Sequence, residues 1–81
     1  MITCLGLIVG IIKSVNTQDV LNQCAKFLCT HKYLIDKKVD FEIEGQVYAT
    51  VVDTCKYPDG KFGVLFNMYD GFTKIGVCQE V

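Results

Sequence analysis

Apolar and polar residues alternate with a period of two along the second half of the chain, as in strands with one buried face. The alternation predicts four strands, over residues 39–44, 47–56, 61–68 and 72–80. Residues 57–60 (YPDG) and 70–71 (DG) between them are of the types that favour tight turns. Consecutive strands joined by short turns predict an antiparallel meander.

The first half of the chain holds one continuous apolar run and one segment of helical period. Residues 2–12 (ITCLGLIVGII) are apolar on both alternating faces, which predicts a central strand buried on two sides. A helix is then predicted to begin at Asn16 or Thr17 and to end near Lys32 or Tyr33. Its apolar side repeats at helical spacing and comprises Val20, Leu21, Cys24, Phe27, Leu28 and His31.

These elements together predict an α+β fold, with one amphipathic helix packed on a mainly antiparallel sheet in the order β-α-β-β-β-β. The 81 residues fit one domain, spanning 1–81. About half of them, 51%, are apolar, and a domain of this size cannot bury them all within itself. A second copy is the simplest cover for the excess, so we expect a homo-oligomer.

The apolar run is too short to cross a bilayer, which takes about 20 residues. A secretory signal would have a basic residue before such a run, whereas Lys13 follows it. The sequence therefore predicts a cytoplasmic protein with no membrane partner.

The charge pattern disfavours nucleic acid as a partner. The net charge is −1, and the eight basic residues are all lysines. DNA binding rests on a surplus of lysine and arginine, so we expect no DNA partner. A chain without arginine is also what AT-rich coding produces, as in phages and other mobile elements.

Five cysteines in irregular spacing do not form the even framework of a small secreted domain, so reduced thiols are expected. Cys24, Cys29 and His31 lack the paired spacing of a zinc site. We therefore predict no metal, no cofactor and no catalytic residue. One alternative stays open, a thiol- or metal-dependent enzyme in which His31, the single histidine, meets a cysteine.

Three groups of side chains are candidate binding residues. Aromatic residues on strands or at turn tips often anchor interfaces, and these are Tyr48, Tyr57, Tyr69 and Phe72. An acidic stripe on the first meander strand could meet a basic partner, and it comprises Asp40, Glu42 and Glu44. Lys37 and Lys38, near the predicted helix end, could hold an anionic ligand.

Part of the aromatic set carries a resemblance. The segments Tyr48-x-Thr50-x-Val52, Val64-Leu65-Phe66 and Tyr69-Asp70-Gly71 resemble the Tudor group of small SH3-like barrels. The resemblance covers roughly the last 35 residues, and the strand and helix that precede it depart from the Tudor pattern. It implies a reader of a peptide or RNA, with aromatic side chains that cage a methylated group.

The missing catalytic pattern and the apolar excess favour a small non-enzymatic binding protein. We expect an oligomeric inhibitor or sequestering protein, of the kind that phages encode, acting on a host protein or a small anionic ligand. The small-barrel reader and the thiol or metal enzyme are the alternatives.

Overall fold

A computed structural model describes residues 1–11 and 16–79. Its elements are β1 (Ile2–Cys4), β2 (Leu7–Gly10), α1 (Thr17–Thr30), a 3-10 helix (Lys32–Lys37), β3 (Asp40–Ile43), β4 (Gln46–Lys56), β5 (Lys61–Met68) and β6 (Thr73–Gln79). The strands form one curled antiparallel sheet in the order β2-β1-β3-β4-β5-β6, with α1 packed against it. The predicted α+β fold and the four-strand meander are confirmed.

The opening apolar run forms a hairpin and not the single central strand that its pattern predicted. Leu5 and Gly6 have φ of 52° and 80°, and a two-residue type I′ turn requires positive φ at both central positions. The chain therefore folds back, and the order becomes β-β-α-β-β-β-β. Strand β1 lies inside the sheet, whereas β2 forms its edge. Ile12 and Glu80, the ends of two predicted strands, fall outside the described residues.

Helix α1 begins at Thr17, directly after the predicted capping residue Asn16. The Asn16 Oδ1 accepts hydrogen bonds from the backbone N–H groups of Gln18 (3.0 Å) and Asp19 (3.4 Å), which the helix itself leaves unpaired. The helix ends at Thr30, short of the predicted end, because His31 leaves the helical region with φ −132° and ψ 54°. The 3-10 helix continues from there.

The hydrophobic core lies between α1 and one face of the sheet. Alternate residues of β5 face it, as the period of two predicted: Phe62, Val64, Phe66 and Met68 are all buried. The Phe41 ring is in the centre, edge-on to Phe66 at 5.8 Å between centroids and to Phe27 at 6.1 Å. Edge-to-face pairs of this kind are favourable beyond the area they bury.

Helix α1 crosses close to the edge strand β6. The Gln18 side chain donates to the carbonyl of Ile75 (2.9 Å), and the Val77 N–H donates to the Asn22 Oδ1 (3.0 Å). Between these two bonds lies Gly76, where a Cβ atom would collide with the Leu21 carbonyl. The glycine therefore permits the crossing, and the helix side chains satisfy backbone groups that an edge strand leaves open.

A disulfide between Cys29 and Cys78 joins the last turn of α1 to β6. The prediction that all five cysteines are reduced is wrong for this pair. The two residues are 49 positions apart, so only the packing of the helix on β6 brings them together. Cys4, Cys24 and Cys55 are free thiols.

Candidate functional site

Two of the four predicted aromatic residues meet at the end of the sheet where the β3–β4 and β5–β6 turns lie. The rings of Tyr48 and Tyr69 are 6.2 Å apart between centroids, with 36° between their planes. The Tyr69 N–H donates to the Tyr48 carbonyl at 3.1 Å, which ties one turn to the start of the neighbouring strand. The contact is therefore fixed by the backbone as well as by the rings.

A bulge in β4 presents Tyr48 to this site. Phe41 pairs with Ala49, and the next residue of β3, Glu42, pairs with Val47, so that Tyr48 is the extra residue. Bulges re-aim a side chain in this way and bend the strand. Tyr48 is half-buried and packs against the core, whereas Tyr69 is 76% exposed. One ring is therefore anchored and the other is open to a partner.

Glu44 completes the site from the β3–β4 turn. Glu44 and Gly45 have φ of 52° and 80°, the positive pair of a two-residue hairpin turn. The two rings and Glu44 line a cleft of about 340 Å3 together with Ile43, Gln46 and Val47. We call this the aromatic cleft.

The lining of the aromatic cleft suits a positively charged group. Aromatic ring faces carry the negative part of the quadrupole and attract cations. Glu44 adds a carboxylate, and no lysine is among the lining residues. Glu42 lies across the ladder from Val47, which places a second carboxyl group on a residue adjoining the cleft.

The other predicted site residues lie apart from the aromatic cleft. Tyr57 follows the opposite end of β4. There its ring and the Cys55 thiol lie so close to Gly63 that they occupy the space of a Cβ atom. Phe72 is 68% exposed in the β5–β6 turn and does not line the cleft. Asp40 accepts a hydrogen bond from the Thr50 hydroxyl at 2.7 Å, so the acidic stripe is divided between this contact and the cleft.

The predicted lysine pair lies at the end of the 3-10 helix. The Lys37 ammonium lies 6.0 Å from the centre of the Tyr33 ring, a cation–π contact within the same 3-10 helix. Lys38 has φ 49° and ends that helix in the left-handed conformation. Neither residue lines the aromatic cleft.

His31 is held by contacts within the helix end. Its Nδ1 lies 2.9 Å from both the Phe27 carbonyl and the Thr30 hydroxyl, and its ring stacks on Phe27 at 4.1 Å. Its sequence neighbour Cys29 is in the disulfide. Burial raises the pKa of Cys24 to about 12, with a smaller contribution from Cys4, so its thiol stays protonated at neutral pH.

Comparisons with protein-family models, curated proteins and solved structures gave no match. The geometry therefore carries the functional argument. Within residues 1–11 and 16–79, no three His, Cys, Asp or Glu side chains are grouped so that they could hold a metal ion. No helix in the same ranges has the length and apolar character needed to span a bilayer.

Sequence reasoning missed the apolar and amide lining of the aromatic cleft. Ile43, Gln46 and Val47 flank the β3–β4 turn, and the pair Glu44-Gly45 is compatible with a two-residue hairpin loop. A two-residue loop at this position places Glu44, the last residue of the acidic stripe, beside the start of β4. The proximity of Tyr69 depends on the packing of two separate turns, which no local pattern encodes.

Proposed function

We propose that this chain is a non-enzymatic binding protein that holds a lysine side chain of a protein partner in the aromatic cleft, in its free or methylated form. The observation that carries the proposal is the convergence of Tyr48, Tyr69 and Glu44 from two different turns. Such a protein acts by occupying its partner, which agrees with the expected role of an inhibitor or sequestering protein.

The energetics favour a cation over a neutral group. A cation–π contact contributes about 0.5–1 kcal/mol at an exposed site and about 2 kcal/mol when it is desolvated. An exposed ion pair with Glu44 adds at most about 1 kcal/mol. Desolvated contacts with both rings and the ion pair together give at most about 5 kcal/mol, so a single side chain would bind no more tightly than about the submillimolar level. Tighter binding requires further contacts, and the apolar side chains of Ile43 and Val47 are placed to supply them.

The experiment compares three versions of one lysine-containing peptide, with the central lysine trimethylated, unmodified or acetylated. Binding is followed by two-dimensional NMR of the labelled protein. We expect the trimethylated and unmodified peptides to shift the signals of the aromatic cleft. The acetylated peptide, which lacks the charge, should bind at least about ten-fold more weakly. Equal binding of all three peptides would refute recognition of a cation.

Two variants test the residues, and a third is the matched control. Tyr69→Ala removes the exposed ring, and Glu44→Gln removes the carboxylate while keeping its shape. Both should weaken binding of the charged peptides. Phe72→Ala removes an aromatic ring of similar exposure from the same turn, outside the cleft, and should leave binding unchanged. If Phe72→Ala weakened binding as much as Tyr69→Ala, the site would be wrongly placed.

A further inference from the structure

Three side chains of α1 form a stripe along the edge strand β6. Gln18, Asn22 and Lys26 are spaced four residues apart, so they project from the same side of the helix. The first two each complete a backbone group of the strand. Gln18 donates to the Ile75 carbonyl at 2.9 Å, and Asn22 accepts from the Val77 N–H at 3.0 Å. The helix therefore contributes one side chain for every two residues of the strand.

The next step of this pairing brings Lys26 beside Gln79. Four helix residues rise about 6 Å and two strand residues about 6.7 Å, so the helix and the strand stay in step. Both residues line a cleft of about 470 Å3, which we call the α1–β6 cleft. Its other lining residues are Asn22, Gln23, Val77 and Cys78. Among these described lining residues Lys26 alone is charged, so the cleft carries a positive charge.

The pairing of the strands turns the Gln79 N–H toward α1. The Val77 N–H reaches Asn22, so the backbone of Val77 faces away from β5, and the residue two positions on has the same orientation. Lys61, which lies opposite Gln79 on β5, agrees with this direction. Its carbonyl accepts from the Tyr57 N–H at 2.9 Å, on the side of β4. The Gln79 N–H therefore points to the cleft.

Two hydrogen-bond donors thus meet in the α1–β6 cleft without an acceptor between them. In the first two steps of the stripe a donor meets an acceptor, whereas the Lys26 ammonium can only donate. The Gln79 side chain is turned to the Gly60 carbonyl, at 3.3 Å. The Gln23 side chain donates to Asp19, at 3.4 Å. An anion with two acceptor atoms would complete the third step.

We infer that the α1–β6 cleft binds a small organic carboxylate. One carboxylate oxygen accepts from the Lys26 ammonium and the other from the Gln79 N–H, both as charge-assisted bonds. The apolar part of the ligand lies against Val77 and Cys78, in a cleft of the size that small ligands occupy. A phosphate would bring more charge than one lysine can balance. The cleft lies at the other end of β6 from Tyr69, and the inference does not rest on the aromatic cleft.

Titrations with isovalerate and with its neutral amide test the inference, followed by two-dimensional NMR of the labelled protein. Isovalerate should shift the Gln79 N–H signal and bind at least about ten-fold more tightly than isovaleramide. Inorganic phosphate should bind more weakly than isovalerate. A peptide that ends in a free valine carboxylate distinguishes two sources of the ligand. Tighter binding of the peptide than of isovalerate would assign the site to the end of a polypeptide, and the reverse to a free acid.

Two variants remove the two donors, and each has a matched control. Lys26→Gln removes the ammonium, and Gln79→Pro removes the N–H at an edge position where proline is tolerated. Both should abolish the preference for isovalerate over its amide, read from the Val77 N–H signal. Gln79→Ala keeps the N–H, and Lys74→Gln removes an exposed lysine of the same strand outside the cleft. Both controls should keep the preference.

Three results would overturn the inference. The first is equal binding of isovalerate and isovaleramide, or no shift of the Gln79 N–H at millimolar concentration. The second is tighter binding of phosphate than of isovalerate. The third is a preference for the acid that survives in Lys26→Gln and Gln79→Pro, since the carboxylate would then be held elsewhere.

Discussion

A methyl group added at Gly76 should destabilise the protein more than its small size suggests. The new Cβ atom would lie 2.8 Å from the Leu21 carbonyl carbon and closer still to its oxygen, and 3.1 Å from the Phe66 ring. Optimal contacts between carbon atoms are about 3.5–4.0 Å. The first two contacts are with backbone, so relief requires α1 to move away from β6.

The magnitude follows from what this movement disturbs. Overpacking of a well-packed site costs about 1–3 kcal/mol. The hydrogen bonds from Gln18 to Ile75 and from Val77 to Asn22 flank the collision, and each contributes about 1 kcal/mol. The lower entropy of the unfolded alanine chain returns less than about 1 kcal/mol. We expect Gly76→Ala to lower the free energy of unfolding by about 3 kcal/mol, measured by urea titration.

Gly10→Ala is the matched control for this prediction. There the new methyl group would meet the carboxamide of Gln23, the far end of a flexible side chain that can rotate away. We expect a loss below about 0.5 kcal/mol, the usual range for a surface change. Equal stability of Gly76→Ala and the wild-type protein would refute the close crossing of α1 over β6.

Three further predictions concern the thiols and the helix cap. Reduction of the Cys29–Cys78 disulfide, or Cys29→Ser, should lower the free energy of unfolding by about 4 kcal/mol, since the bond closes a long loop; a thermal midpoint unchanged by dithiothreitol would contradict this. The pKa of Cys24 is raised from 9.0 to about 12, so the unfolded thiol ionises before the folded one. Stability should therefore fall between pH 9 and pH 12, by up to about 1.4 kcal/mol per pH unit, and this part of the slope should be missing in Cys24→Ala. Asn16→Ala should cost about 1 kcal/mol in urea unfolding, whereas no loss would show that the cap is not formed in solution.

The parts of the fold that follow from local periodicity could be predicted from the sequence. The meander strands, the capping position and the buried face of β5 each depend on neighbouring residues. The apolar run 2–12 is compatible with one strand and with a hairpin, because a glycine lowers strand propensity and also permits a turn. The hairpin forms only if Leu5 adopts a positive φ. Leucine is seldom found there, so the pattern pointed to one strand.

The site was only partly predictable for a related reason. Residue type identified Tyr48, Tyr69 and Glu44 as candidates. It identified Tyr57, Phe72 and the lysine pair equally well. The β4 bulge and the bond from Tyr69 to the Tyr48 carbonyl decide which of these meet. Both depend on strand register and turn packing. The Cys29–Cys78 pair also depends on tertiary contacts, since the position of α1 on β6 brings the two thiols together.

The most direct test of the proposed function is a nuclear Overhauser measurement on the protein bound to the trimethyl-lysine peptide. If the aromatic cleft holds the cation, the N-methyl protons should give cross-peaks to the ring protons of both Tyr48 and Tyr69. Cross-peaks to Tyr57, Tyr33 or Phe72 in their place, or a bound peptide with no cross-peak to Tyr48 and Tyr69, would contradict the proposed function.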